Sequence, residues 1–278
     1  MTKIKNSTVL ITGGAAGIGK LMGRNVLEEG AAHLVIWDIN ESQMLETAAE
    51  LGKIGSVHTY QVNVADLNEI NQAFDQMLQD GLAIDILINN AGIVVGRYFW
   101  ENSHEDIEKT MLINTNALMH IALKCLPGMM AKNHGHIVNI SSAASLIGNP
   151  KMAVYAASKW AVTGWSESLR LELEQVKSKV KVTTITPSYI NTGMFEGVKT
   201  HWIQPILTPE KTAKQIIKGI KKNSIFVRMP KSVYLTPILK GLLPIRWFDK
   251  LVGGYLGVYS SMKDFHGHAA EEKKSTTK

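Results

Sequence analysis

The 278-residue chain has one cysteine, eight prolines and few aromatic residues, 7% of the total. A single thiol cannot form an intramolecular disulfide, which excludes a disulfide framework and points to a reducing compartment. Cys125 lies in an apolar stretch and reads as a buried bystander. Long apolar runs are also missing. Lys3 and Lys5 imitate the basic start of a signal peptide, but the run that follows, Val9 to Ile11, is far too short and reads as a first strand. There is no internal repeat, no linker long enough to divide the chain, and no stretch before the last dozen residues polar enough for disorder. Hydrophobic residues make up 45%, enough for an ample core.

Charge is unevenly spread. Residues 1–210 carry 16 Lys+Arg against 20 Asp+Glu, a balance of −4, and residues 211–278 carry 14 against 4, a balance of +10. The basic character therefore belongs to the end of the chain, where an anionic surface is one reading and a solvated face the other.

Val- and Ile-rich runs occur at 8–11, 34–37, 84–88, 137–140 and 180–185, with weaker ones at 57–62 and 225–227. Helical spacing fills the segments between them, at Val26/Leu27, Leu45/Ala48/Ala49, Ile70/Phe74/Met77 and Leu169/Leu171/Leu173. Strands apolar on both faces and alternating with helices predict an α/β fold, a doubly wound parallel sheet of Rossmann type. Helix starts are marked by Asn40, by Asp66, by Ser103 with Asp106 three residues on, and by Thr208 before Pro209. The pattern changes at Met229-Pro230. This divides the chain into a main α/β domain over 1–230, an amphipathic extension over 231–265 and a polar tail over 266–278.

The segment TGGAAGIG at 12–19 follows the first strand directly and opens a helix ending near Gly30. Glycines there permit positive φ and let the backbone approach a pyrophosphate, which meets the free N–H groups and positive dipole end of the helix. Thr12, Gly13, Gly17, Ile18 and Gly19 are accordingly candidate cofactor contacts. Asp38 closes the second run, about twenty residues further on, where a carboxylate accepts hydrogen bonds from the adenosine ribose hydroxyls. No Arg or Lys stands in the glycine turn or at 39–42 to receive a 2′-phosphate, so NAD is favoured over NADP.

Tyr155 and Lys159 lie one helical turn apart, thirteen residues and more after Ser142, which ends the apolar run IVNIS. In doubly wound sheets ligands bind beyond the strand carboxyl ends, where Ser142 falls. TGGAAGIG, NNAG at 89–92, Asn114 in NTNA, Ser142, Tyr155 with Lys159, and Pro187 with Thr192 come in the order that marks the short-chain dehydrogenase/reductase family. Over about residues 5–230 the chain resembles that family. The resemblance implies about seven strands, a homodimer or homotetramer, and reversible hydride transfer between NAD(P) and an alcohol or ketone.

Within it, Tyr155 is the base, Lys159 lowers the phenol's pKa and bonds the nicotinamide ribose, and Ser142 orients the substrate oxygen. By resemblance Asn114 holds a water linking Lys159 to solvent. Asn90 and Gly92 shape the adenosine side, although tight packing at a strand end explains NNAG equally well. Ile190 and Thr192, after Pro187, hold the carboxamide. Asn63, beside Val64, stands where the family often has Asp near the adenine, and can still accept from the adenine amino group. Ser188 and Ser145 replace frequent glycines.

Val94, Val95, Leu146, Ile147, Met152, Met194, Phe195 and Trp202 are candidates for the substrate side. They are apolar and bulky, with no cationic cluster for a carboxylate or phosphate, so a lipophilic alcohol or ketone is expected. The segment after Lys231 mixes leucines, aromatics and spaced cations, broken by Pro237 and Pro244. It suits a membrane interface, a lid over the pocket or an oligomer contact. A similar tail occurs in the retinol and 17β-hydroxysteroid dehydrogenase-like branch, which favours peripheral contact through 231–262 by a cytoplasmic enzyme. Its cations are interleaved with aliphatic residues, so no nucleic-acid partner is expected. His266 and His268 lack further ligands, and no metal is expected. The competing functions are an NADPH-dependent ketoreductase of the 3-oxoacyl reductase type and a catalytically silent NAD-binding scaffold at a membrane. The second has no use for Ser142, Tyr155 and Lys159, all of which are present.

Overall fold

In the computed structural model, which describes residues 1–202 and 204–266, seven parallel strands form one sheet. They are β1 (Thr8–Thr12), β2 (His33–Asp38), β3 (Ser56–Gln61), β4 (Ile86–Asn89), β5 (His136–Ile140), β6 (Lys181–Pro187) and β7 (Phe226–Met229). Their order is β3-β2-β1-β4-β5-β6-β7, so the winding reverses between β1 and β4. At such a reversal the two following loops part and leave a crevice at the strand carboxyl ends.

Alternation along the strands fills two cores. Val9 and Ile11 of β1, with Leu34 and Ile36 of β2, face α1 (Gly17–Glu28), α2 (Glu41–Leu51) and α7 (Pro209–Lys221). Leu10, Val35 and Trp37 point the other way, toward α3 (Leu67–Gln79), α5 (Ala117–Ala131) and α6 (Ala153–Gln175). A short α4 (His104–Met111) leads into α5 through a π-helical turn, Leu112–Asn116.

Local chemistry sets the helix starts. Asn40 accepts from the Gln43 amide, Asp66 from the Asn68 amide, and Ser103 and Asp106 form a reciprocal capping box. Thr208 differs from expectation, because its side chain makes no capping bond and Pro209 alone shapes that start. Three positions on the expected helical spacing also differ. Leu45, Ala49 and Leu171 are exposed, and α2 buries Met44, Thr47 and Leu51 instead.

Beyond β7 the chain forms α8 (Leu235–Leu242) and α9 (Ile245–Phe248), then a wider π-helical stretch over Asp249–Tyr255 and a 3-10 turn over Val258–Ser260. Phe248, Val252 and Val258 are buried with Ile147, so this segment packs beside the loop that follows Ser142. The polar tail expected over 266–278 lies, except for His266, outside the described residues, as does His268.

Candidate active site

The glycine turn is built to leave room. Gly13 and Gly17 have φ of +63° and +52°, and a Cβ on Gly19 would run into the Gly13 carbonyl oxygen. Ala16, at the N-cap of α1, provides no side-chain cap, so the first-turn N–H groups remain open to an anion. Asn90 locks the turn from below. Its Nδ2 donates to the carbonyls of Thr12 and Gly13 at 3.0 and 2.9 Å, while Thr12 Oγ1 accepts from the Asn90 and Ala91 amides. NNAG therefore holds the cradle in shape by hydrogen bonding within the protein.

Asp38 sits beside the same turn, with Oδ2 accepting from the Ala15 amide at 2.9 Å and Oδ1 from the Asn40 amide at 3.1 Å. Asn63 turns its Oδ1 to the Ala65 amide, and its own amide donates to Glu69. Val64 packs against the second core. None of Asp38, Asn63 and Val64 lines the central cavity, whereas Gln43, from the first turn of α2, does.

That cavity, about 440 Å³, runs from Gly13, Gly17, Ile18 and Gly19 past Asn90 and Gly92 to Ser142, Tyr155 and Lys159. Pro187, Ile190 and Thr192 close its far wall. The residues fit a dinucleotide, with a phosphate cradle at one end and titratable groups at the other.

Ser142 follows β5 and starts a 3-10 turn, its Oγ accepting from the Ala144 amide, and its hydroxyl lies close enough to the Tyr155 phenol to favour the ionised form. Lys159, one turn along α6, donates to the Ile140 carbonyl at 2.9 Å and holds its Nζ 5.7 Å from the Tyr155 ring centre. Asn114, buried in the π-helical turn, bonds both backbone groups of Ile93 and donates to Ser158 Oγ. Its Oδ1 keeps one lone pair free for a further donor.

The ionisation differs from expectation. Burial pushes the Tyr155 phenol up to about 12, with the Ser142 hydroxyl acting the other way. Burial also lowers Lys159 to about 8. Desolvation is the largest influence on both groups.

On the substrate side Ile147, Met152, Met194 and Phe195 line the central cavity, and Val94 and Val95 line a neighbouring one. Trp202 does not join them. The residue is 80% exposed, on the loop after β6. Leu146 lies off the cavity, its carbonyl accepting from Lys240.

Several lining residues were not foreseen. Tyr189 and Asn149 meet at 2.9 Å, and Ser261 bonds both of them. Val258 lines the cavity, and Met262 packs with Tyr155 and Met152. Tyr189 could have been found from its place beside Ile190. Residues of the extension reach the site only through tertiary folding.

A family model described as short chain dehydrogenase matches residues 7–202. The chain belongs to the short-chain dehydrogenase/reductase family. It is an NAD(P)-dependent oxidoreductase with a Rossmann-type fold. Among curated relatives, epidermal retinol dehydrogenase 2 of Mus musculus is 37% identical over 98% of this chain and 88% of that protein. Estradiol 17-beta-dehydrogenase 11 of Rattus norvegicus is 33% identical over 89% and 83%. A short-chain dehydrogenase/reductase from Burkholderia phymatum, solved in complex with NAD, superposes with a TM-score of 0.79 at 23% identity, covering 87% of this chain and 95% of that one. Among the described residues no helix is long and apolar enough to cross a membrane.

Proposed function

We propose that this enzyme transfers hydride between NAD and a lipophilic alcohol or ketone, retinoid-, steroid- or long-chain-alcohol-like, with Ser142, Tyr155 and Lys159 as its chemical site. The observation that carries the reading is the meeting, in one cavity, of an open glycine cradle with a serine hydroxyl, a phenol and a buried amine. A bound nicotinamide supplies the hydride acceptor or donor. Ser142 donates to the substrate oxygen and aligns it. Tyr155 takes the proton from that oxygen in oxidation and returns it in reduction. Lys159 adds positive charge beside the phenolate, and Asn114 keeps an acceptor for the water through which the proton leaves.

NAD preference rests on Asp38, whose carboxylate would repel a 2′-phosphate at the edge of the glycine turn. The lipophilic preference rests on Met152, Met194, Phe195 and Ile147 around the reacting end, and agrees with the names of the curated relatives. Retinoids, steroids, long-chain alcohols and 3-oxoacyl thioesters, each tried with NAD(H) and NADP(H), test both preferences. Preferred use of NADPH would overturn the reading of Asp38. Best turnover of 3-oxoacyl thioesters would overturn that of the substrate side.

The extension over 231–262 serves as a peripheral membrane contact in the same proposal, for an enzyme working at a cytoplasmic membrane face as a homodimer or homotetramer. Leu242, Trp247 and Tyr255 are 77%, 69% and 78% exposed, with Arg246 and Lys250 among them. Flotation with anionic vesicles is expected to recover the wild-type chain. Recovery unchanged in a Leu242→Ser, Trp247→Ser double variant would count against this contact.

A further inference from the structure

A second cavity of about 460 Å³ adjoins the catalytic one, and Gly92 and Met194 line both. We infer that this chamber receives the extended apolar chain of the substrate, which makes the preferred ligand an elongated single-chain lipophile with its carbinol at one end. The inference rests on the proposed reading of the catalytic site and specifies its substrate.

Space supplies the first argument. The central cavity reaches from the glycine cradle to Tyr155, so a dinucleotide fills most of it and leaves room for little more than the reacting end of a substrate. On the side of Tyr189 that end is closed, because Asn149, Tyr189 and Ser261 hydrogen-bond one another, Val258 lines the same cavity and Met262 packs with Met152 and Tyr155. Three of these residues come from the extension, which thereby acts as a wall.

The open direction lies past Gly92. A Cβ built there would sit 3.7 Å from Lys159 Nζ and 3.3 Å from Asn114 Oδ1, so the missing side chain keeps the neck clear beside the catalytic groups. Beyond the neck the walls are apolar, formed by Ile93, Val94, Val95, Met194 and Phe265. Phe265 sets one edge of its ring against Gly96, where any side chain would strike it. The far end is polar, with the Arg97–Asp106 ion pair at 3.0 Å and His266. Arg97 is largely exposed and precedes the exposed aromatic turn Tyr98–Phe99–Trp100, which gives the chamber a lipophilic rim at the surface. A chain entering there can thread its carbinol inward to Ser142. A rigid fused-ring body is wider than a chain and has less to gain from a neck set by one glycine.

The test is a series of straight-chain primary alcohols from four to sixteen carbons with NAD, run on wild type, Val95→Phe and Phe265→Ala. Each methylene buried in the chamber is expected to raise kcat/KM about three- to four-fold until the chamber is full. Val95→Phe should cost at least ten-fold with the long alcohols and leave the four-carbon alcohol within about two-fold, and Phe265→Ala should move the optimum to longer chains. Equilibrium dialysis of radiolabelled hexadecanol in the presence of NADH reads the chamber without turnover. Binding that Val95→Phe abolishes supports the chamber even where no alcohol reduces NAD, an outcome that defeats only the redox reading. A flat chain-length profile, equal losses for short and long alcohols in Val95→Phe, or no hexadecanol binding by wild type overturns the inference.

Discussion

The Tyr155 phenol provides a demanding test, because its environment in the protein alone is wrong for a base. Burial raises it to about 12, which at neutral pH leaves only about one molecule in 10⁵ ionised. A base useful near pH 8 needs that value brought down by about three to four units, or about 4–5 kcal/mol. Two positive charges are available to do so. A Lys159 ammonium 5.7 Å from the ring centre contributes about 3 kcal/mol at an effective dielectric constant of about 20, and a cationic nicotinamide at similar range adds a comparable amount. Lys159 gives up its own proton near pH 8, so it cannot assist a phenol that ionises near 12. The ultraviolet phenolate band, taken as wild type minus Tyr155→Phe, should therefore be absent below pH 10 without nucleotide. It should emerge near pH 8–9 with NAD⁺ and stay absent with NADH, whose nicotinamide ring is uncharged. Lys159→Met should shift the NAD⁺ titration upward by about two units. Titration below pH 10 in the nucleotide-free protein, or identical curves with NAD⁺ and NADH, would refute this account.

Tyr155→Phe should lower kcat by about 10²–10⁴ while nucleotide binding, followed by fluorescence, stays within a few-fold. Asp38→Ala removes the acceptor of the Ala15 amide and is expected to cost about ten- to a hundred-fold in kcat/KM for NAD and improve that for NADP; unchanged cofactor preference would contradict the assignment. Gly19→Ala places a methyl against the Gly13 carbonyl and should weaken dinucleotide binding by at least ten-fold, with a loss of about 1–3 kcal/mol in stability by urea unfolding. His136, buried between Thr2 Oγ1 and Thr183 Oγ1, is held neutral by burial down to about 3. Its folded value lies below the unfolded value of about 6.5, so its contribution is complete above pH 6.5 and declines as pH falls toward 3. Urea unfolding at pH 7.5 and 4.5 should show wild type losing about 3 kcal/mol more than His136→Asn. Equal losses would exclude the ring as the source.

Much of this molecule is legible from local order. The five strong apolar runs became the inner strands because each of these is covered on both faces, while the weaker runs became the partly exposed edge strands β3 and β7. The glycine turn, with Ser142 at a strand end and Tyr155 and Lys159 one turn apart, needed only the spacing between neighbours to place its groups at the crevice. Helix faces were less legible. Leu45 and Leu171 carry apolar side chains on solvent faces, and nothing within α2 or α6 distinguishes them from core positions.

What the sequence determined by itself, then, was the order of elements and the chemistry of the glycine turn, because backbone geometry and short spacings act between residues near in the chain. Tertiary structure alone decided which side chains wall the cavity. Asn149, Tyr189 and Ser261 meet across more than a hundred residues, Trp202 leaves the site for solvent, and Gly96 receives Phe265 from the far end of the chain. The ionisation of Tyr155 and Lys159 belongs with these, since desolvation is set by everything packed around a group and no spacing along the chain encodes it.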